Sequence, residues 1–107
     1  MKLKWYPYRQ NNSGGSFTED QNQGPQVFIQ AESAAGAWSM AQEMFDFEYC
    51  ECCGERWYEA EEDDGQDEPT VYGVPVNEVT QSFFVDYAIL HHFNGVVEKV
   101  TFKKGVL

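Results

Sequence analysis

Cys50, Cys52 and Cys53 fall within four positions, and Gly54 follows them directly. Cys50 and Cys53 form a C-x-x-C pair followed by glycine, the spacing at which two thiolates chelate one ion. The glycine leaves room for backbone amides to turn toward sulfur. A structural zinc site needs four ligands, and no second C-x-x-C is present. His91 and His92, with Cys52, are the residues that would complete the set. Adjacent residues of a strand point to opposite faces, so only one of the two histidines can reach a given site. The favoured reading is therefore a reduced cysteine cluster packed behind a helix, with zinc as the alternative cofactor. Redox use fits less well, because a reactive thiolate needs positive neighbours and this cluster sits among acids.

The formal charge is −11, from 18 acidic and 7 basic residues. Between Glu43 and Glu68 lie 12 of those 18 acids, opposed only by Arg56. Carboxylates fixed on a scaffold can imitate the phosphates of a duplex and enter a basic groove, driven by counterion release with the signs exchanged. Glu48, Glu51, Glu55, Glu59, Glu61, Glu62, Asp63 and Asp64 would supply such a field. Arg56, Trp57 and Tyr58 would supply an anchor, since these residue types dominate interface hot spots. Against this stands the reading of a solvated loop. Glu43, Asp46, Glu48, Glu51, Glu55 and Glu59 are expected to be held by the helix end and the cysteine turn. The stretch from Glu59 to Pro69 lacks an apolar period and is expected to be mobile. Trp57 reads equally well as a residue closing the core.

Two weaker constellations remain. The run Asn11-Asn12-Ser13-Gly14-Gly15-Ser16 offers consecutive amides beside Arg9, and such a nest can hold an anion. Arg9, Ser13, Gly14 and Gly15 are thus candidates for a small anion or a nucleotide. The run lacks the lysine of a phosphate loop, and a plain turn explains it as well. His91 and His92 invite acid–base chemistry, but no nucleophile or carboxylate is placed with them by a catalytic motif. No enzyme is readable.

The acidic balance disfavours direct nucleic-acid binding and anionic membrane surfaces. A basic protein surface is the natural partner. No apolar run approaches the roughly 20 residues of a membrane helix, and no signal peptide is visible, so a cytoplasmic location is expected. Three clustered cysteines make a poor disulfide framework. The 107 residues suit one domain.

These residues must be positioned by a few elements. Lys4–Arg9 reads as an aromatic-rich strand, and its Pro7 puts the strand at an edge or sits where no ladder bond is needed. Gln26–Ala31 is a second strand by its β-branched and aromatic content. Ser33 is a plausible N-cap for a helix with Ala37, Trp38, Ala41, Met44 and Phe45 on one face. Glu32 would lend charge near the start of that helix. Val71 to Val79 is a Pro- and Gly-broken extended segment. Gln81 to Phe93 and Val96 to Lys103 read as strands around a two-residue Asn94-Gly95 turn. That register pairs Phe93 with Val96, Ile89 with Val100, Tyr87 with Phe102 and Asp86 with Lys103, and sets His91 facing Glu98. Phe83, Val85, Tyr87, Ile89, Val100 and Phe102 would then share one face. The expected fold is α+β: a four-stranded, mostly antiparallel sheet with one helix packed on a face, a C-terminal β-hairpin and an acidic loop insert over about 59–70. An exposed hairpin edge would also permit a homodimer.

Several segments together resemble a family of small proteins from tailed bacteriophages. They are Tyr8 to Phe17 (YRQNNSGGSF), Val27 to Ala31 leading to Ala41-Gln42, Cys50 to Trp57 (CECCGERW) and Asp86 to His92 (DYAILHH). The resemblance covers most of the chain outside the acidic loop. It implies a phage origin and, by association, binding to and inhibition or modulation of a host protein, including host-defence components. With the acid distribution, the expected function is an acidic interaction protein acting on a host protein with a basic surface.

Overall fold

The computed structural model describes residues 2–10, 19–45, 49–50, 54–55, 57–71, 73–81 and 86–103, with backbone alone for 49–50 and 54–55. β1 (Lys4–Arg9) pairs antiparallel with β2 (Gln26–Ala31), Tyr6 opposite Ile29. Trp5 bonds outward to Gln66, whereas Gln10 bonds inward to Pro25, so the odd-numbered residues of β1 face away from β2. Pro7 shares that outward parity, and its missing donor costs the ladder nothing, as its edge placement predicted.

Helix α1 (Ala34–Met44) follows β2. Ser33 caps it as expected, its hydroxyl accepting the Gly36 N–H at 3.0 Å. Ala34, Ala37 and Ala41 are buried, and Phe45 closes the helix, its N–H donating to Ala41 O. Small residues on this face let the helix lie close over the sheet. Two short antiparallel pairs come next: β3 (Tyr49–Cys50) with β4 (Gly54–Glu55), and β5 (Thr70–Val71) with β6 (Val74–Pro75). β7 (Tyr87–His91) and β8 (Val97–Thr101) are the last strands among the described residues.

The main sheet has the order β1-β2-β7-β8. β7 lies parallel to β2, with Phe28 opposite Leu90, and the other two pairs are antiparallel. The α+β class and the mostly antiparallel four-stranded sheet are as the sequence led us to expect. The parallel pair arises because α1 carries the chain across the sheet before β7 enters beside β2.

The pleat divides the core in two. Tyr6, Tyr8, Val27, Ile29, Tyr87 and Ile89 face the helix side, with Ala37, Ala41, Phe45 and Trp57 packed onto them. Trp5, Phe28, Ala88, Leu90 and Phe102 face the other side, which Val76 and the partly buried Val71 and Val79 cover. Through Val71, Val76 and Val79 the Pro- and Gly-broken segment thus covers this second face of the sheet.

The hairpin differs by one residue from the expected register. Tyr87 lies opposite Thr101, Ala88 opposite Val100 and Leu90 opposite Glu98. The turn has three residues: the His92 N–H donates to Val96 O, and the Gly95 N–H donates to His92 O. Gly95, at φ 94°, holds the left-handed position that such a turn requires. A one-residue shift moves the strand to the other face. Val100 and Phe102 therefore pack with Ala88 and Leu90, away from Tyr87 and Ile89. Phe83 and Val85 lie outside the described residues. Asp86 O accepts the Phe102 N–H instead of facing Lys103, and Lys103 bridges to Thr80.

Candidate acidic interaction face

The acidic insert is fastened to the rest of the fold. Glu62, Asp63 and Asp64 form one turn of 3-10 helix. The Asp64 carboxylate accepts the Glu61 N–H at 2.8 Å, and the Glu61 side chain answers at the other end of the turn, a reciprocal capping box. Glu62 reaches further. One carboxylate oxygen accepts the Ala34 N–H at 2.6 Å, and the other accepts the Tyr6 hydroxyl at 3.2 Å. A negative charge at the first amide of α1 also complements the helix dipole, the role expected of Glu32, which is exposed.

Beyond the turn, Gln66 exchanges two backbone bonds with Trp5, at 2.7 and 2.9 Å. Its side-chain oxygen accepts from the Thr70 N–H and hydroxyl. Asp67 meets Lys2 at 3.3 Å and Lys4 at 3.9 Å. These exposed ion pairs are worth little individually. On the near side, Trp57 and Ala60 are buried. The stretch expected to lack a defined shape is therefore tied to β1, to α1 and to the core. These ties are long-range, and a search for local period cannot see them.

Glu59, Glu61, Glu62, Asp63 and Asp64 are all exposed on this frame, and Tyr58 beside them is 58% exposed. Their field reaches inward. Burial pushes the Tyr8 phenol well above its ordinary range, and the charges of Glu59, Tyr6 and Asp64 push it further. Burial likewise raises Tyr6, with help from the Glu62 hydrogen bond and charge.

Trp57 does not belong to the surface. It is fully buried and stacks on Phe45 at 4.2 Å between ring centroids, so the tryptophan of the expected anchor is a core residue. Of that trio Tyr58 is displayed, and Arg56 lies outside the described residues. So do Glu48, Glu51, Cys52, Cys53, Ser13, Gly14 and Gly15, and the side chains of Cys50 and Glu55. At backbone level Cys50 pairs with Gly54.

Arg9 is exposed and lines an open groove of about 460 Å³ with Pro7, Gln26, Asp64, Gln66, Thr70 and Val71. Asp64 places a carboxylate in the same lining as Arg9.

The two histidines point to opposite faces, as expected of neighbours in a strand. His91 is buried and its Nε2 lies 2.7 Å from Asn22 O, where it donates; burial holds its pKa below the ordinary value, and Asp20 opposes that. The His92 Nε2 lies 2.9 Å from the Glu98 carboxylate, and its ring meets Trp5 edge-on at 5.0 Å. Glu98 thus pairs with His92, not with His91. Among the described residues no three His, Cys, Asp or Glu side chains are grouped to hold a metal. No helix among them is long and apolar enough to cross a membrane.

A family model described as a domain of unknown function, DUF7296, matches residues 3–107. The chain belongs to the DUF7296 family. No curated protein and no solved structure gives a significant match to this DUF7296 chain. The match spans the main sheet, α1 and the acidic turn alike, so the insert lies within the family domain.

Proposed function

We propose that this DUF7296 chain is an acidic interaction domain that binds a basic surface on another protein. The supporting observation is the anchoring of the acidic turn through Glu62 to Ala34 and Tyr6. A mimic of phosphates needs charges at defined separations, and exposed carboxylates on such a frame meet that need. The charge speeds encounter with a cationic partner and sharpens selection among partners. Tyr58 supplies the aromatic contact at the margin.

The resemblance to tailed-phage proteins supports the reading in which the partner is a host protein, bound to inhibit or modulate it. A nucleic-acid-handling or defence protein, engaged through its basic groove, is the version that fits the charge best. Glu62 and Asp64 serve the fold as well as the field, so the recognition charges are best tested at Glu59, Asp63 and Glu68.

The test is capture from a bacterial host extract at low and at high salt. The tagged chain is compared with a triple variant, Glu59→Lys, Asp63→Lys and Glu68→Lys. A protein retained at low salt, released at high salt and lost with the variant supports the reading. Binding indifferent to salt and to charge reversal overturns it.

A further inference from the structure

Asn94 is followed by Gly95, whereas the other asparagines of the chain, Asn11, Asn12, Asn22 and Asn77, do not precede a glycine. The order matters for the chemistry of the side-chain amide. The backbone nitrogen of the following residue can attack an asparagine Cγ and close a five-membered imide. A side chain on that residue obstructs the closure, and glycine has none and turns its backbone more freely.

The hairpin tip leaves this pair open to the reaction. Both residues are exposed. A Cβ placed on Gly95 would meet no atom within 4 Å, so nothing beyond its chain neighbours crowds that side of the residue. The Asn94 Oδ1 accepts the Val96 N–H at 3.1 Å. That bond polarises the side-chain carbonyl and stabilises the negative charge its oxygen gains as Cγ becomes tetrahedral.

One bond opposes the attack. The Gly95 N–H donates to His92 O at 3.0 Å. The nitrogen must leave this acceptor, and its peptide plane must turn toward Cγ, before the ring can close. Openings at an exposed hairpin tip come from the low end of the range of local stabilities. Asp64-Gly65 has the same order in a different setting. The Asp64 carboxylate accepts the Glu61 N–H, and a Cβ on Gly65 would stand 3.0 Å from the side chains of Lys4 and Tyr6. A carboxylate is also a much poorer electrophile than an amide, so Asn94 is the reactive position of the two.

We propose that Asn94 is a self-modification site, converted through a succinimide to aspartate and isoaspartate in the folded chain, with opening of the Gly95–His92 bond as the gate. In the first step the Gly95 nitrogen gives its proton to solvent and bonds to Asn94 Cγ. The Cγ–Nδ2 bond breaks, and Nδ2 leaves as ammonia. In the second step one water opens the ring. Cleavage between the ring nitrogen and Cγ gives aspartate. Cleavage between the ring nitrogen and the backbone carbonyl carbon gives isoaspartate, in which Cβ joins the main chain.

Either product adds one negative charge where β7 turns into β8. Isoaspartate also lengthens the turn by one carbon, against the bond from the His92 N–H to Val96 O that closes it. This inference stands independently of what the acidic face binds.

Incubation of the full chain at mildly alkaline pH tests it, followed by peptide mapping that separates aspartate from isoaspartate. Asn94 should convert to both, faster as the pH rises, while Asn22 and Asn77 keep their amides. In urea the rate should rise roughly tenfold or more, the factor for about 1.4 kcal/mol of turn opening. Hydrogen exchange on the unmodified chain gives a second readout: the Gly95 amide should exchange far faster than the amides of β7. An Asn94 amide that survives in the folded chain while the unfolded chain converts overturns the proposal. So does a Gly95 amide as protected as those of β7, or loss of the Asn22 and Asn77 amides at the same rate as Asn94.

Discussion

Glu62 accepts the first amide of α1, at Ala34, from 28 residues further along the chain, with 2.6 Å between the heavy atoms. The same carboxylate accepts the Tyr6 hydroxyl. One side chain of the acidic turn thus touches both the helix and the first strand.

Glu62→Ala should cost about 1–2 kcal/mol, the range for a lost cap or a hydrogen bond to a charged group. Glu62→Gln keeps an acceptor for Ala34 and should fall between. Glu59→Ala, an exposed change beside it, should stay within about 0.5 kcal/mol. Urea denaturation ranks the three. Equal midpoints for Glu62→Ala and Glu59→Ala would show that the tie contributes nothing.

Trp57→Ala should cost about 3–5 kcal/mol, because it empties a fully buried site against Phe45. Trp57→Phe should cost far less. It keeps a ring on Phe45 and removes an indole N–H that has no hydrogen-bond partner among the described residues. Iodide quenching of Trp57 in a chain with Trp5 and Trp38 replaced by Phe should be close to nil in the folded state.

Gly24→Ala should destabilise by about 1–3 kcal/mol through overpacking. A Cβ there would stand 2.6 Å from the Tyr87 hydroxyl oxygen and 2.8 Å from two of its ring carbons. Tyr87→Phe leaves the ring carbons in place and should not rescue the variant. In a Tyr87→Ala background the added penalty of Gly24→Ala should shrink. Denaturation of the four chains in a double-mutant cycle checks this.

Stability should fall as the pH drops below about 6.5, the ordinary imidazole value. Burial depresses the His91 pKa, so the unfolded chain takes up a proton that the folded chain resists. The contribution is complete above the ordinary value and declines from there to the depressed folded value. Below the carboxylate range, Asp20 adds to the loss. Burial opposes its ionisation, but bonds from Asn22 and Gln23 outweigh burial and lower its pKa. His91→Gln should flatten the first of these two declines and leave the second. Urea midpoints from about pH 7.5 to pH 3 separate them.

Local chemistry made much of this fold legible. Ser33 announces the helix, Pro7 a place where the ladder needs no donor, and the β-branched and aromatic content of Gln26–Ala31 a strand. The hairpin shows the limit of local chemistry. Asn94-Gly95 satisfies a two-residue turn on paper, yet Phe93 joins it in a three-residue turn, and the side-chain pairing shifts by one. Phe102 then reaches the core that Leu90 shares. The candidate face was read from its charge alone. Its acids were identifiable, but their frame was not, because the partners of Glu62 and Gln66 lie at Ala34, Tyr6 and Trp5. Trp57 carried two readings until burial decided for the core.

The parallel pairing of β2 with β7 has a bearing on how the chain is made. β2 is complete at Ala31, yet its second neighbour begins only at Tyr87. During synthesis the first strand pair and α1 leave the ribosome with Val27, Phe28 and Ile29 exposed along one unpaired side, until the last fifth of the chain arrives. A nascent chain in that condition is a chaperone client, and fragments that end before β7 will aggregate instead of accumulating as partly folded protein.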